Sequence, residues 1–400
     1  MSVNDDLVLR VAARGDGVTG DGRHVAFAAP GDRLAQDGSV IPGQHHQVPP
    51  CRHFPECGGC QLQHLDDASW SQFIVDRVVG ALAAQGLETH VRAPLLSPPR
   101  TRRRATLHAE RRGRQVRLGF TRQGSHELID IEECHVLAPE LFALVSPLRG
   151  VLAALIPGNR RINVHLARTD QGPDVLIDGL DAEGLAAAEA LSAFSHRHHL
   201  ARLSIDEGFG PGARYEPEPV TVTLGGVPVP FPPGNFLQAT PEGEDALVAA
   251  VREIAGDART VADLFAGLGT FTFAFPQAKV YAAEAARDPI LALKAAAGAA
   301  GRPVFADHRD LFRRPVTAGD LSRFEVVVLD PPRAGAREQV AQIATCTAPL
   351  IAYVSCNPSS FARDAEILGK AGYALDWVQP VGQFRWSTHV ELAAKFSRQG

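Results

Sequence analysis

The regular alternation of strand-length apolar runs and helix-length segments after Pro241 constrains the fold of this chain most. Strands are predicted at 260–265, 279–284, 303–306, 324–329 and 350–354, and near 373–377 and 389–396. The helices between them are predicted at 241–255, 270–276, 288–299, 336–345 and 358–370. Strands that alternate with helices at this spacing form a parallel sheet with helices on both faces. We therefore predict an α/β fold with a Rossmann-like C-terminal domain, whose last strands are antiparallel.

The chain before this domain divides into two predicted parts. Residues 1–48 alternate short apolar runs with turns such as Arg14-Gly15-Asp16-Gly17, which indicates a small antiparallel β unit. This unit is too short for a full five-stranded barrel. Residues 49–235 mix predicted helices with strands and form a central α/β domain, with helices at 68–84 and 182–194 and strands at 116–120, 162–166 and 220–224. The predicted domains are thus 1–48, 49–235 and 236–400.

Composition indicates an ordinary soluble protein. The chain has 400 residues with 45% hydrophobic content, enough for two or three domains with buried cores. It has no apolar run of membrane-spanning length and no signal peptide, so we expect a cytoplasmic monomer with no membrane partner. Its six cysteines are poor disulfide candidates in a reducing compartment, so clustered ones indicate metal binding or catalysis.

Polar residues and glycines follow the predicted parallel strands, where ligands bind in open sheets of this kind. Gly267 and Gly269 follow the first strand, Glu284 ends the second, and Asp330-Pro331-Pro332 follows the fourth. A dinucleotide site would require a third glycine that is absent here. S-adenosylmethionine has no phosphate and fits this turn better, with Glu284 accepting hydrogen bonds from ribose hydroxyls. Taken alone, the two glycines are equally typical of a tight turn.

Cys356 lies where the apolar segment Leu350 to Val354 ends, at the open end of a predicted strand. A thiol in that place would face the ligand pocket and could act as a nucleophile. An isolated cysteine is more often a buried structural residue. Its position among the ligand-binding turns favours the catalytic interpretation.

Three cysteines, Cys51, Cys57 and Cys60, lie within ten residues in a loop rich in glycine and proline, and Cys134 can supply a fourth thiolate. Four thiolates suit zinc or an iron–sulfur cluster, and the spacing alone does not decide between them. Nine arginines lie between Arg100 and Arg122, where the only acidic residue is Glu110. Such a bias predicts contact with RNA phosphates, although a solvated surface is the usual explanation of a charge run.

From about residue 10 to 396 the chain resembles the S-adenosylmethionine-dependent RNA (uracil-5-)-methyltransferases, which form 5-methyluridine in transfer or ribosomal RNA. The motifs that carry the resemblance are Cys51-x5-Cys57-Gly58-Gly59-Cys60-Gln61-Leu62-Gln63-His64, Asn235-Phe236-Leu237-Gln238, Asp263 to Thr270, Asp330 to Gly335, Ser355-Cys356-Asn357-Pro358 and His389-Val390-Glu391. The family usually begins with a TRAM-type barrel of the oligonucleotide-binding (OB) kind. In this chain the second half of that barrel is shortened.

The resemblance implies a cofactor, a metal centre and a mechanism. Contacts to S-adenosylmethionine are expected from Gln238, Phe265, Thr270, Glu284, Asp310 and Asp330, with Asp307 a neighbour that could replace Asp310. A [4Fe-4S] cluster is expected on Cys51, Cys57, Cys60 and Cys134. Cys356 would add to carbon 6 of uracil, and Glu391 would later remove the proton from carbon 5. The RNA would be a structured tRNA or rRNA whose target base leaves its stack.

Two other functions are compatible with parts of the sequence. One is methylation of an exocyclic amine by the Asp-Pro-Pro turn, which needs no thiol and usually has an aromatic residue where Arg333 stands. The other is a non-catalytic RNA-binding protein with an iron–sulfur cluster. Formation of 5-methyluridine in RNA would distinguish the three. The sequence does not indicate which uridine is the target.

Overall fold

In the computed structural model of the protein, the described residues are 5–158 and 160–398. The strands before residue 235 are β1 Val8–Val11, β2 Gly17–Thr19, β3 His24–Val25, β4 Arg33–Leu34, β5 Val40–Ile41, β6 His90–Val91, β7 Leu95–Leu96, β8 Arg104–Arg112, β9 Gln115–Thr121, β10 Leu128–Asp130, β11 Arg161–Thr169, β12 Gly172–Asp178, β13 Arg202–Asp206, β14 Pro211–Tyr215, β15 Thr221–Leu224 and β16 Val227–Pro230. The later strands are β17 Thr260–Leu264, β18 Lys279–Glu284, β19 Val304–His308, β20 Val326–Leu329, β21 Leu350–Ser355, β22 Tyr373–Gly382 and β23 Glu391–Arg398.

The helices are α1 Asp67–Ala83, α2 Pro139–Phe142, α3 Val145–Leu155, α4 Leu185–Arg197, α5 Pro241–Ala255, α6 Arg287–Ala299, α7 Ala318–Leu321, α8 Arg337–Ile343 and α9 Pro358–Lys370. Residues Thr272–Ala274 form one turn of 3-10 helix. Within the described ranges, none of the helices is long and apolar enough to cross a lipid bilayer.

The C-terminal strands form one sheet in the order β19-β18-β17-β20-β21-β23-β22-β6, and β7 also pairs with β22. Strands β17 to β21 pair in parallel, whereas β23 is antiparallel to both β21 and β22. Strand β20 is buried along its whole length, as expected for a central parallel strand with helices on both faces. The predicted α/β domain with antiparallel strands at its end is confirmed.

The central part of the chain forms a second, mostly antiparallel sheet in the order β10-β9-β8-β11-β12-β13-β14. Helices α3 and α4 pack on it and contribute to its own apolar core. The N-terminal unit consists of the antiparallel sheet β1-β2-β3 and the pair β4-β5, so the predicted small β unit is confirmed. It contacts the rest of the chain partly through Phe27, whose ring lies edge-on to Phe54 at 5.4 Å.

One segment before residue 235 belongs structurally to the C-terminal sheet. Strands β6 and β7 extend that sheet beside β22, and helix α1 packs against α9 and β22. Buried Trp70, Phe73 and Ile74 of α1 join the same apolar core as β21 and β23. The domain boundaries at 48 and 235 stay predictions, and the C-terminal sheet includes this segment from outside residues 236–400.

The helix predicted at 270–276 is wrong in extent, because only Thr272–Ala274 turns in a helical manner. The Thr272 hydroxyl donates to the Asp263 carboxylate at 2.5 Å, and Pro276 follows two residues after the turn. These two constraints leave no room for a longer helix after the glycine turn. The four-residue helix α7 was not predicted, since it is too short to show a hydrophobic period.

Candidate active site

The candidate site lies at the carboxyl edge of the C-terminal sheet, where the turns after β17, β18, β20 and β21 meet. Phe265 follows β17 with φ 65°, and Gly267 and Gly269 have φ 55° and 98°. A Cβ on Gly269 would approach the Phe273 ring to 2.8 Å, so this position requires glycine. A Cβ on Gly267 would meet no atom within 4 Å, so the turn is open on the side where a ligand would lie.

Glu284, at the end of β18, closes this turn from the next strand. Its carboxylate accepts hydrogen bonds from the backbone N–H of Gly267 at 3.0 Å and of Ala286 at 2.7 Å. These bonds fix the carboxylate beside the glycine turn, and its oxygens retain lone pairs for ribose hydroxyls. Thr270 lies in the same turn, half-buried. The ends of β17 and β18 therefore bring together Gly267, Gly269, Thr270 and Glu284, as a cofactor site requires.

Two enclosed carboxyl groups lie at the centre of this edge. Burial raises the pKa of Asp263 to about 7, and one of its oxygens has no hydrogen-bond partner among the described residues. Burial also raises the pKa of Asp330 well above its ordinary value, and Glu391 and Asp263 raise it further. Acidic groups without a cationic partner suit a positively charged ligand. The sulfonium and ammonium groups of S-adenosylmethionine are cations of this kind, so these residues fit that cofactor.

Gln238, Phe265 and Asp310 border the same region. Gln238 is 3% exposed and its side-chain oxygen accepts a hydrogen bond from Gln383 Nε2 at 2.8 Å. The Phe265 ring lies 5.5 Å from the ring of Phe312. Asp310 accepts from the backbone N–H of Phe312 at 3.0 Å, so it is bonded to the residue whose ring contacts Phe265. Asp307 instead accepts from the Tyr281 hydroxyl at 2.7 Å and pairs with Arg309.

Cys356 and Glu391 lie opposite each other because β21 and β23 run in opposite directions. Ser355 at the end of β21 pairs with Leu392 of β23, so the residue after one and the residue before the other are brought together. Glu391 is 5% exposed and Cys356 is half-buried. The two interact electrostatically, since Glu391 raises the pKa of the Cys356 thiol. A thiol and a carboxyl group therefore lie side by side at this edge of the sheet.

The protonation states of this pair follow from burial. Burial, then Glu391 and Asp330, raise the pKa of Cys356 to about 11, and Arg333 acts in the opposite direction. In the free enzyme the sulfur is therefore a protonated thiol near neutral pH. Burial raises the pKa of Glu391 to about 7, and a hydrogen bond from Gln383 and the charges of Arg104 and Arg333 lower it. Glu391 is thus poised to exchange a proton near neutral pH.

His389 supports the site rather than reacting in it. Its Nδ1 lies 2.6 Å from Arg333 Nη2, and its ring lies 5.7 Å from Phe384. Burial, followed by the charges of Arg333 and Arg102, lowers the pKa of His389. A neutral ring can accept a hydrogen bond from the guanidinium group, and this contact holds Arg333 near Glu391.

The four predicted cluster cysteines lie near one another. Burial raises the pKa of Cys51 to about 11 and of Cys60 to about 12, and the charge of an ionised Cys134 contributes to both increases. The loop is joined to β9 by the bond from Gly58 N–H to the Thr121 carbonyl at 2.9 Å. Within the described residues, however, no three His, Cys, Asp or Glu side chains form a site for a single metal ion. Cysteines of a four-iron cluster each bind a different iron and stand further apart than ligands of one ion.

The arginine-rich segment is not a free cationic face along its length, which corrects the sequence prediction. Arg103 pairs with Glu244 at 2.5 Å, with both side chains largely buried. Arg104 donates to the Leu237 carbonyl, and burial lowers its pKa to about 10. Arg117 donates to the Leu128 carbonyl at 2.5 Å. The prediction was based on the alternation of arginines along β8 and β9. In the structure several of these arginines instead bond to groups in other elements. The arginines that remain exposed are Arg100, Arg112 and Arg114.

Two residues of the site were missed by sequence reasoning. Gln383, on the loop between β22 and β23, is 1% exposed, donates to Gln238 and lowers the pKa of Glu391. Arg104 belongs to the arginine run and was attributed to RNA binding, whereas its charge acts on Glu391. Only the proximity of Gln383 to His389-Val390-Glu391 in sequence could have drawn attention to it.

Comparisons with known proteins agree with this geometry. The family described as tRNA (Uracil-5-)-methyltransferase matches residues 304–399. An uncharacterized RNA methyltransferase of Zymomonas mobilis is 48% identical over 98% of this chain and 99% of its own length. The 23S rRNA (uracil(1939)-C(5))-methyltransferase RlmD of Erwinia tasmaniensis is 31% identical over 88% of this chain and 82% of its own length.

A solved structure has the same fold. The Pyrococcus abyssi tRNA (uracil-54, C5)-methyltransferase, in complex with S-adenosyl-L-homocysteine, is 21% identical and covers 99% of this chain and 100% of its own, with a TM-score of 0.76. Strand order, glycine turn and enclosed carboxylates define a class I S-adenosylmethionine-dependent methyltransferase. The full-length relatives narrow this class. The chain belongs to the family of S-adenosylmethionine-dependent RNA (uracil-5-)-methyltransferases.

Proposed function

We propose that this enzyme methylates carbon 5 of one uridine in large-subunit ribosomal RNA through a covalent bond from Cys356 to carbon 6. The observation that supports this most is the opposition of Cys356 and Glu391 across the β21–β23 pair. Methylation of an exocyclic amine requires no thiol, so this pair favours carbon 5 over an amine. The ribosomal target is favoured because RlmD, which is 31% identical over 88% of this chain, is named for 23S rRNA. A transfer RNA target is the alternative.

The proposed chemistry assigns one role to each residue of the pair. The Cys356 thiol loses its proton to water, and the resulting thiolate adds to carbon 6, so that the π electrons of the ring move onto carbon 5 and the adjacent carbonyl. Carbon 5 then takes the methyl group from the sulfonium, which leaves as S-adenosylhomocysteine. Ionised Glu391 removes the proton from carbon 5, and elimination of the thiolate restores the ring and frees the enzyme. The target base must leave its stack to reach both groups.

Substitution of each residue separates the two steps. Cys356→Ala should abolish both product and covalent adduct, because nothing attacks carbon 6. Glu391→Gln should allow methyl transfer but block release, so that methylated RNA stays bound through Cys356. In denaturing gel electrophoresis with a labelled methyl donor, the covalent complex of protein and methylated RNA should appear as a labelled band that migrates more slowly than the free protein.

The same assay identifies the RNA. Unmodified enzyme should be trapped on 5-fluorouracil-containing 23S rRNA fragments, because fluorine cannot leave carbon 5 as a proton does, and not on tRNA prepared in the same way. Trapping on tRNA alone would replace the ribosomal target with the alternative. Turnover by Cys356→Ala, or absence of any adduct, would remove the covalent mechanism.

We further propose that Cys51, Cys57, Cys60 and Cys134 bind a [4Fe-4S] cluster with a structural role. The support is their mutual electrostatic interaction in a partly buried loop. The two residues after Cys60 connect this loop to the active site, since the N–H groups of Gln61 and Leu62 both donate to the Trp386 carbonyl, at 2.8 and 2.9 Å. A cluster that stiffens the loop would therefore stabilise the segment that carries His389 and Glu391.

Iron analysis tests this proposal. Protein purified without oxygen should be brown and contain about four irons per chain. Cys134→Ser should lose the colour and lower the melting temperature, whereas Cys346→Ser, at a buried cysteine outside the loop, should keep the iron. Stoichiometric zinc without iron would contradict the assignment.

A further inference from the structure

Gln383 occupies an enclosed position between the predicted cofactor contact and the predicted base. It follows β22 by one residue and is 1% exposed. Its side chain packs on the first turn of α5, where a Cβ on Gly243 would lie 2.5 Å from Gln383 Cβ. No other side chain could be accommodated at residue 243 without displacing Gln383. The glutamine is therefore held by packing before its hydrogen bonds are considered.

The hydrogen bonds of Gln383 leave its amide only one orientation. The backbone N–H of Ala239 donates to the side-chain oxygen at 2.8 Å, so the oxygen must face that group. The amide nitrogen then has two N–H bonds to donate. One goes to Gln238 Oε1 at 2.8 Å. The other can donate to the carboxylate of Glu391, which lies nearby because Glu391 pairs with Val381 of β22, two residues before Gln383.

This arrangement also orients Gln238. Because the oxygen of Gln238 accepts from Gln383, its own NH2 group must point away from Gln383, so it can donate to a ligand. We propose that Gln383 is a positioning residue that donates one N–H to Gln238 and one to Glu391, and so orients the cofactor contact and the base together. This inference rests on the proposed roles of Glu391 and Gln238.

Other charged groups also face Glu391. Arg104 of β8 and Arg333 after β20 favour its ionised form, whereas Asp330 and the thiolate form of Cys356 are its negative neighbours. An N–H donated by Gln383 would lower the pKa of Glu391 and favour the ionised carboxylate, as the two arginines do. Loss of Gln383 leaves the arginines in place, so the base should still ionise, but at a higher pH.

Gln383→Leu removes both donors at nearly constant volume. We expect release of the methylated adduct to slow at least tenfold. In the plot of release rate against pH, the acidic limb, where the rate falls because Glu391 is protonated, should move up by about one pH unit. Rapid-quench measurement of adduct formation and decay between pH 6 and 9 gives both quantities. Gln379→Leu is the matched control, because Gln379 is a buried glutamine of β22 that donates to the backbone carbonyls of Ala93 and Pro380.

The outcomes separate this inference from the proposed function. If wild-type enzyme forms no adduct with 5-fluorouracil RNA, the proposed function fails. If it does, and Gln383→Leu folds but keeps the wild-type pH limb and release rate, only the positioning role fails. Should Gln383→Leu not fold, Gln383→Glu keeps the size and replaces both donors by acceptors. The positioning role then predicts a larger upward movement of the limb than in Gln379→Leu, and an unchanged limb would refute it.

Discussion

At the scale of single residues, the site depends on carboxyl groups that are held away from water. Glu391 and Asp263 both have pKa values of about 7, raised first by burial. The cost of burying each ionised group falls on the folded state alone. The unliganded enzyme therefore gives up stability to keep negative charge where a cationic cofactor will bind.

A pH-dependent difference in stability should follow from Glu391. Folding raises the pKa of Glu391 from 4.5 to about 7. The protonated group therefore contributes to the free energy of unfolding below pH 4.5, and this contribution is lost as the pH rises through 7. Glu391→Gln lacks this loss and should be more stable than wild type at pH 8 by about 3 kcal/mol, and nearly equal at pH 4.5. Urea unfolding at the two pH values measures this. The exposed Glu189→Gln should show no such difference, and an equal gain at both pH values would contradict the electrostatic cause.

Some residues of the candidate site could be predicted from the sequence and others could not. Cys356 could be singled out because it follows the end of a strand, whereas Glu391, at the start of β23, was expected mainly from the family resemblance. Gln383 and Arg104 could not be predicted, because their roles depend on backbone partners more than a hundred residues away, at Ala239 and Leu237. A glutamine or arginine has no distinctive sequence context when its partner is a distant main-chain group.

At the scale of elements, the loop after β20 is held by the helix that follows Cys356. Asp364 of α9 accepts from the Ala336 N–H at 2.8 Å and from the Tyr353 hydroxyl at 2.6 Å. Asn357 donates to the Arg333 carbonyl at 3.0 Å. Strand β21, helix α9 and the Asp330-to-Gly335 loop are therefore bonded into one unit, which fixes Arg333 relative to Cys356.

Gly335→Ala should disturb this unit. Gly335 has φ 87°, and a Cβ there would lie 2.7 Å from the Asp364 carboxylate. We expect a loss of about 2 kcal/mol in the free energy of unfolding and a lower rate of adduct formation, since Arg333 shifts. Thermal unfolding and single-turnover kinetics measure both effects. Gly298→Ala, in helix α6 with open space around it, should be neutral or stabilising. Wild-type kinetics in Gly335→Ala would show that the loop position does not matter.

The elements themselves were predictable to different degrees. The strands after Pro241 show apolar runs bounded by Gly, Pro and Asp, and most of their positions matched the sequence pattern. Strands β6 and β7 were not predictable, because each has two residues and pairs with β22 almost 290 residues later. Their place in the sheet is decided by the burial of α1, whose apolar face has no partner in its neighbourhood of the sequence.

At the scale of the whole molecule, the central sheet is fastened to the C-terminal sheet by arginines. Arg103 donates from its backbone to the Ala239 carbonyl at 2.9 Å and from Nε to the Gln238 carbonyl at 3.0 Å, besides its pair with Glu244 of α5. Burial raises the pKa of Glu244, so this carboxylate depends on Arg103 for its charge. The contact joins the central sheet to the segment that carries Gln238.

Arg103→Met should therefore act on stability rather than on phosphate binding. We expect a loss of about 3 kcal/mol at pH 8, smaller at pH 5 where Glu244 can be protonated, and an unchanged salt dependence of RNA binding in the folded protein. Chemical unfolding and binding titrations at several salt concentrations test this. The exposed Arg114→Met should leave stability unchanged and lower the log–log salt slope by about 0.7 to 0.9. A reduced slope in Arg103→Met would restore the phosphate-contact interpretation.

The antiparallel pairing of β21 with β23 has a consequence for how this enzyme can change over evolutionary time. Ser355 faces Leu392 through the ladder itself, so the distance between Cys356 and Glu391 does not depend on the length of the chain that connects them. Insertions on the solvent side of α9 or in the turn before β22 could accumulate without separating the two reactive groups. A circular permutant opened between α9 and β22 would, by the same reasoning, retain an intact reaction centre.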